Sequence, residues 1–246
     1  MVIKEFGKNN KDVIILLHGG GLSWWNYMEV SKLLQNEYHV IVPILDGHSG
    51  SDSDFVSIEK NADEIIEFIN DNYGGHVRLI GGLSLGGQIL LEILSKSSGI
   101  CDYALIESAL VIPMRLTHKL IGPSIKMSYG LISKRWFSKL QFRSLKINNN
   151  LFDYYYEDTK SISVDNMISF LKANSDYNYK EGLLNNKCSV LVVVGRKERR
   201  IMIKSAELIN ALLPNSTLKV LDGYYHGDLS INHADQYVEM IKDFIR

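Results

Sequence analysis

Apolar residues in this chain fall into two kinds of run. The first is short and strand-sized: Val13–Leu17, which is uninterrupted, then His39–Pro43 and the stretches 77–80, 103–106, 189–194 and 218–221, of which 77–80 includes Arg78 and 218–221 includes Lys219. Continuous apolarity over strand length predicts strands buried on both faces, as in a parallel sheet. The second kind is periodic. Ala62, Ile65, Ile66, Ile69 and Tyr73 fall on one helical face, with Ser57 placed to cap that helix. Residues 30–38, 85–95 and 203–213 also read as helices, and Val238, Ile241 and Phe244 share a face of a closing helix over 237–245. Strands alternating with helices predict right-handed crossovers and an α/β fold: a mostly parallel sheet with helices on both faces.

The alternation breaks once. Residues 113–186 hold no clear parallel strand but carry Trp136, Phe137, Phe142, Phe152, Tyr154, Tyr155, Tyr156, Phe170, Tyr177 and Tyr179 among polar neighbours. That pattern predicts short amphipathic helices. A segment this long between two core strands is expected to lie over the strand ends as a lid. The expected organisation is a core of residues 1–112 and 187–246 with a helical cap, 113–186, inserted into it.

Composition narrows the partners. The 246 residues are 46% hydrophobic and 22% charged, with a formal net charge of −1. That balance fits a globular domain and makes no electrostatic case for nucleic acid or an anionic membrane surface. Apolar runs are strand-sized, short of a membrane span. No basic region leads into a long apolar stretch near Met1, so no signal peptide is expected. Cys101 and Cys188 are distant in sequence and in no metal-like spacing; they read as reduced thiols in a reducing, cytoplasmic setting.

The chemistry concentrates after the strands. Ligands of such sheets bind beyond the strands' carboxyl ends, and His18, Ser84, Glu198 and His226 all follow strands on that side. Gly82-Leu83-Ser84-Leu85-Gly86 sits between a strand-like and a helix-like run. A serine on such a turn is held in a strained conformation, and glycines two residues to either side make room where strand and helix pass. The first amide of the helix, that of Leu85, would then point at whatever the serine attacks.

These motifs together resemble the α/β-hydrolase family, nearly end to end. The family's strand followed by His-Gly resembles His18-Gly19, and its Gly-His-x-x-Ser loop resembles Gly47-His48-Ser49-Gly50-Ser51. The nucleophile elbow is Gly82 to Gly86. An acid in a Gly-x-x-Asp loop is matched by Gly195-Arg196-Lys197-Glu198, with Glu in place of Asp, and the late histidine by His226. Residues 113–186 resemble the helical cap of the esterase, lactonase and lipase-like branches.

The resemblance implies a serine hydrolase acting on a small-molecule ester, thioester or lactone. Ser84 would be the nucleophile, His226 its base and Glu198 the acid that orients the base. Glu107, ending the fourth core strand, is the rival acid, and His233 the rival base. Gly20 and Leu85 would supply the oxyanion-holding amides. His18 and His48 are expected to hold their loops, and Trp24 and Trp25 are candidates to line the acyl pocket. No metal or organic cofactor is called for, and a monomer or homodimer is expected. The same triad also serves carbon–carbon bond hydrolysis or lyase chemistry, and a hydrolase scaffold can survive as a non-catalytic binding protein. Competent residue types at all three positions favour the enzyme.

Overall fold

The computed structural model describes residues 1–245. Seven strands form one sheet: β1 (Ile3–Phe6), β2 (Val13–Leu17), β3 (His39–Pro43), β4 (Val77–Leu83), β5 (Cys101–Glu107), β6 (Ser189–Gly195) and β7 (Ser216–Leu221). Their spatial order is β1-β3-β2-β4-β5-β6-β7. Every pairing is parallel except β1 with β3. The chain first moves outward from β2 to β3, then returns and passes β2 to lay down β4. This reversal opens a crevice between the carboxyl ends of β2 and β4, where open sheets take their ligands.

The apolar sequences of the interior strands are explained by cover on both faces, whereas β7, at the sheet edge, has no buried residue. Ile15 and Leu17 of β2 face one apolar cluster, with α2 (Ile58–Tyr73), α3 (Leu85–Lys96) and α8 (Arg200–Leu212). Ile14 and Leu16 face the other, with α1 (Met28–Leu34) and α10 (Ala234–Phe244). Ser57 caps α2 as its position predicted, its Oγ accepting from the Lys60 amide at 3.0 Å.

Three departures have local causes. β1 is a strand that the pattern of residues 1–6 concealed: it is an edge strand of four residues with Lys4 and Glu5 exposed, so it lacks the apolar signature of the interior strands. The helix expected over 30–38 starts at Met28, after a 3-10 turn (Trp24–Tyr27), and ends at Leu34. Asn10 then catches its trailing carbonyls, Nδ2 donating to Gln35 O at 2.8 Å and Tyr38 O at 3.1 Å. Finally, the two cysteines meet in space. Cys101 opens β5 and Cys188 precedes β6, and the buried sulfurs lie 3.5 Å apart as free thiols.

Between β5 and β6 the chain forms α4 (Arg115–Ile132), α5 (Arg135–Ser144), α6 (Phe152–Ser161) and α7 (Val164–Asp176). Polar and aromatic contacts hold them on the sheet. Trp25 Nε1 donates to Asp158 Oδ2 at 2.6 Å, and Gln88 Nε2 donates to Leu110 O and Asn174 O. Phe170 of α7 stacks on His48, with centroids 4.5 Å apart.

Candidate active site

The turn after β4 is built from close approach. A Cβ at Gly82 would lie 2.4 Å from Gly86 O, and one at Gly86 would lie 2.1 Å from Leu17 O. Only glycine lets strand and helix pass this tightly. Between them Ser84 is held at φ 52°, ψ −109°, a conformation that non-glycine residues rarely adopt. Its amide is anchored on Glu107 O at 2.9 Å. The turn leaves the hydroxyl at the carboxyl edge of the sheet, in the β2/β4 crevice.

His226 arrives on the loop between β7 and α9 (Asp228–Asn232). Its Nε2 lies 3.1 Å from Ser84 Oγ, and its Nδ1 lies 2.7 Å from Glu198 Oε2. Glu198, in the loop after β6, has a fully buried side chain, whereas that of His226 is about half exposed. The other carboxylate oxygen accepts from Ser108 Oγ at 2.7 Å and from the Gly195 amide at 2.8 Å. A carboxylate that takes three donors must itself act as an acceptor, so Nδ1 of His226 carries the proton. Its Nε2 lone pair is then free to accept from the serine hydroxyl.

Glu107, the rival acid, lies beneath this line and does not bond the imidazole. One of its oxygens accepts from the Ser230 amide at 3.3 Å and the other has no partner. Burial pushes its carboxyl up to about 7; the Ser230 hydrogen bonds oppose this and the charge of Glu198 adds to it. His233 is engaged elsewhere: its ring packs on Tyr224 and its Nε2 lies 3.6 Å from Asp228. Asp222 is paired with Arg196, and Asp228 accepts from the Tyr225 amide.

Gly20 lies against the helix start: a Cβ on it would sit 3.5 Å from Leu85 Cβ. Leu85 is the first residue of α3, where the helix offers its amide no partner. His18 ties the loop after β2 to the loop after β3. Its Nε2 accepts from the Leu45 amide at 3.1 Å, so its Nδ1 donates to Gly19 O at 3.0 Å. Burial pushes its imidazole down to about 3 and that of His48 down to about 4, so both stay neutral.

Ser84 and His226 border two cavities. The larger, about 390 Å3, is walled by Leu22, Leu83, Leu145, Ile147 and Ile231. The smaller, about 240 Å3, is walled by Leu110, Met114, Asn174 and Met202. Trp24 and Trp25 line neither, which corrects the expectation of them as candidates to line the acyl pocket. Trp25 is buried, bonded to Asp158 and stacked on Tyr154, while Trp24 packs edge-on against Tyr154 and under Lys4. Both join the α6 region to the core.

Sequence reading also passed over Ser108 and the stretch 144–147. Ser108 offered a weak signal, a small polar residue directly after a strand on the functional side. Residues 144–147 offered none, since their placement depends on how α5 and α6 fold back. Among the described residues no group of three or more His, Cys, Asp or Glu is placed to hold a metal ion, and no helix is long and apolar enough to cross a membrane.

No curated protein matches the chain. Solved structures with the same fold include a thermophilic esterase from Thermogutta terrifontis, 17% identical with a TM-score of 0.80, covering 100% of this chain and 92% of that one. A lipase-esterase related protein from Clostridium acetobutylicum is 21% identical with a TM-score of 0.79, covering 99% and 98%. The enol-lactonase from Burkholderia xenovorans is 12% identical with a TM-score of 0.81, covering 99% and 95%. The family model described as "Alpha/beta hydrolase family" matches residues 14–240. With the strand order, the serine turn and the late histidine on the same sheet edge, the chain belongs to the alpha/beta hydrolase family.

Proposed function

We propose that this protein is a serine hydrolase that cleaves a carboxylic ester, thioester or lactone through an acyl-enzyme. The observation that carries the reading is the unbroken hydrogen-bonded line from Ser84 Oγ through His226 to Glu198. A serine hydroxyl is a weak nucleophile at neutral pH and needs a base within hydrogen-bond reach. The buried carboxylate fixes the imidazole tautomer and stabilises the cation formed when Nε2 takes the proton.

The steps follow from the geometry. Ser84 Oγ bonds to the carbonyl carbon as its proton passes to His226 Nε2, and the carbonyl π electrons move onto oxygen. Gly20 and Leu85 donate their amides to that oxyanion, an interaction worth about 3 kcal/mol per donor in a preorganised site. The intermediate collapses, the leaving group takes the proton from His226, and an acyl-serine remains. Water, deprotonated by the same imidazole, attacks the acyl carbon and regenerates Ser84. None of these steps calls for a metal or organic cofactor. Two cavities meeting at the nucleophile give the acyl and leaving groups a place on either side. The neighbouring folds that are an esterase and an enol-lactonase lend the reading further support.

The test is covalent labelling with a fluorophosphonate probe, read beside hydrolysis of 4-nitrophenyl acetate. The wild-type protein should label and turn over, and Ser84→Ala should do neither. Labelling that persists in Ser84→Ala would reject Ser84 as the nucleophile.

A further inference from the structure

We propose that the larger cavity beside Ser84 takes a substrate arm with an apolar stem and a carboxylate end, the carboxylate held at the mouth by Lys146, Lys197 and Arg199. The inference rests on the serine-hydrolase reading and names the substrate class of that site.

Four charged residues line this cavity: Lys146, Lys197, Glu198 and Arg199. The Glu198 carboxylate is fully buried and committed to His226, Ser108 and Gly195. The charge the mouth shows to an incoming molecule is therefore positive. This is a local excess, since the chain as a whole has a net charge of −1. Some lysines elsewhere are paired, Lys32 with Glu29, Lys60 with Glu64 and Lys180 with Glu59, so what sets the mouth apart is three cations on one cavity. Even Arg196, one residue from the mouth, is paired with Asp222. Among the described residues the three mouth cations have no carboxylate partner. Below them the wall is Leu22, Leu83, Leu145, Ile147 and Ile231, with no acidic side chain open to the cavity.

Two details hold the cations in place. The Tyr225 ring, next to the base His226, has Lys197 Nζ 4.8 Å and Lys146 Nζ 5.9 Å from its centroid. An aromatic face attracts ammoniums and gathers two like charges that would otherwise repel. Lys146 is also, among the described residues, one of three non-glycine residues at positive φ, at 59°. The bracket that holds it there is Asn232, whose Nδ2 donates to Lys146 O and whose Oδ1 accepts from the Asn148 amide, both at 2.8 Å. Lys146 follows the C-cap of α5, its amide bonded back to Arg143 O, and this left-handed helix ending fixes where its side chain leaves the backbone. Lys146 and Lys197 line only the larger cavity, whereas Arg199 borders both.

The test uses matched ester pairs that differ only in charge. One pair carries the charge on the acyl arm, mono-(4-nitrophenyl) adipate against its methyl ester. The other carries it on the leaving group, the hexanoate of 4-hydroxybenzoate against that of its methyl ester. An exposed cation a few ångströms from an anion is worth roughly fivefold. With screening, one pair should show about a tenfold preference in kcat/KM for the anion, shrinking between about 0.05 and 0.5 M NaCl. Lys146→Met/Lys197→Met/Arg199→Met should bring that ratio close to one, and Lys146→Arg/Lys197→Arg should retain it. Turnover of the neutral esters with no charge preference in either pair overturns the carboxylate arm and leaves the hydrolase intact. Absence of both turnover and fluorophosphonate labelling overturns the hydrolase itself.

Discussion

Glu107 offers a prediction whose size can be worked from its surroundings. Its side chain is buried under the candidate site, held by Ser230 and with an unpartnered second oxygen. Burial raises its carboxyl from 4.5 to about 7, a change worth roughly 3 kcal/mol at about 1.4 kcal/mol per tenfold. The sign follows from proton counting. Between those two values the folded protein holds a proton that the unfolded chain has lost, so stability falls as pH rises through that window. Above pH 7 the group ionises in place and the full penalty applies. Glu107→Gln removes the titration and keeps the shape. Relative to wild type the variant should gain roughly 3 kcal/mol between pH 4.5 and pH 8, on top of any pH-independent offset from the new amide. Urea denaturation of both proteins at the two pH values measures the change. An offset that stays constant within about 0.5 kcal/mol, against an expected change several times larger, would refute the account of Glu107 as a buried, poorly solvated carboxyl. Since Glu107 makes no bond to His226, the same variant should still hydrolyse 4-nitrophenyl acetate.

Other outcomes follow from the same geometry. Glu198→Gln should lower kcat on the order of 1,000-fold, as the amide no longer fixes the imidazole tautomer, and a loss comparable to that of Glu107→Gln would move the acid elsewhere. Ser108→Ala removes one of three donors to the Glu198 carboxylate and should lower kcat about tenfold with little change in KM; a change confined to KM would place Ser108 in binding instead. Gly86→Ala would drive a Cβ to within 2.1 Å of Leu17 O and should prevent stable folding, checked by thermal melting against Gly99→Ala, where a Cβ meets nothing. Trp25→Phe breaks the bond to Asp158 and should destabilise the protein by about 1–2 kcal/mol in urea denaturation; an unchanged midpoint would show that this contact does not hold α6 to the core.

What the sequence revealed and what it concealed divide along physical lines. The interior strands were legible because burial on both faces leaves an uninterrupted apolar run, as in Val13–Leu17. β1 was not, because an edge strand with one wet side carries Lys4 and Glu5. The turn at Ser84 was legible because close packing demands glycine at fixed offsets, and that demand is local. The family resemblance alone places Glu198 ahead of Glu107, since both lie at strand ends on the same edge and the residues by themselves do not separate them. Ranking them depends on which loop reaches His226, a matter of tertiary placement. The Trp24 and Trp25 expectation rested on proximity in sequence to the loop after β2, yet their rings turn away to meet Asp158 and Tyr154. The cavity wall at 144–147 has no sequence signature at all. It is set where α5 ends and the chain doubles back.

The Asn232 bracket has a mechanical consequence. Asn232 ends α9, the short helix that follows His226 directly, and it grips the backbone at 146 and 148 on the opposite wall. The part that carries the proton and the part that faces the substrate are thereby tied together by two hydrogen bonds. Engineering of the 144–147 stretch for a new specificity will therefore disturb turnover as well as selectivity, unless replacements preserve the two backbone groups that Asn232 holds.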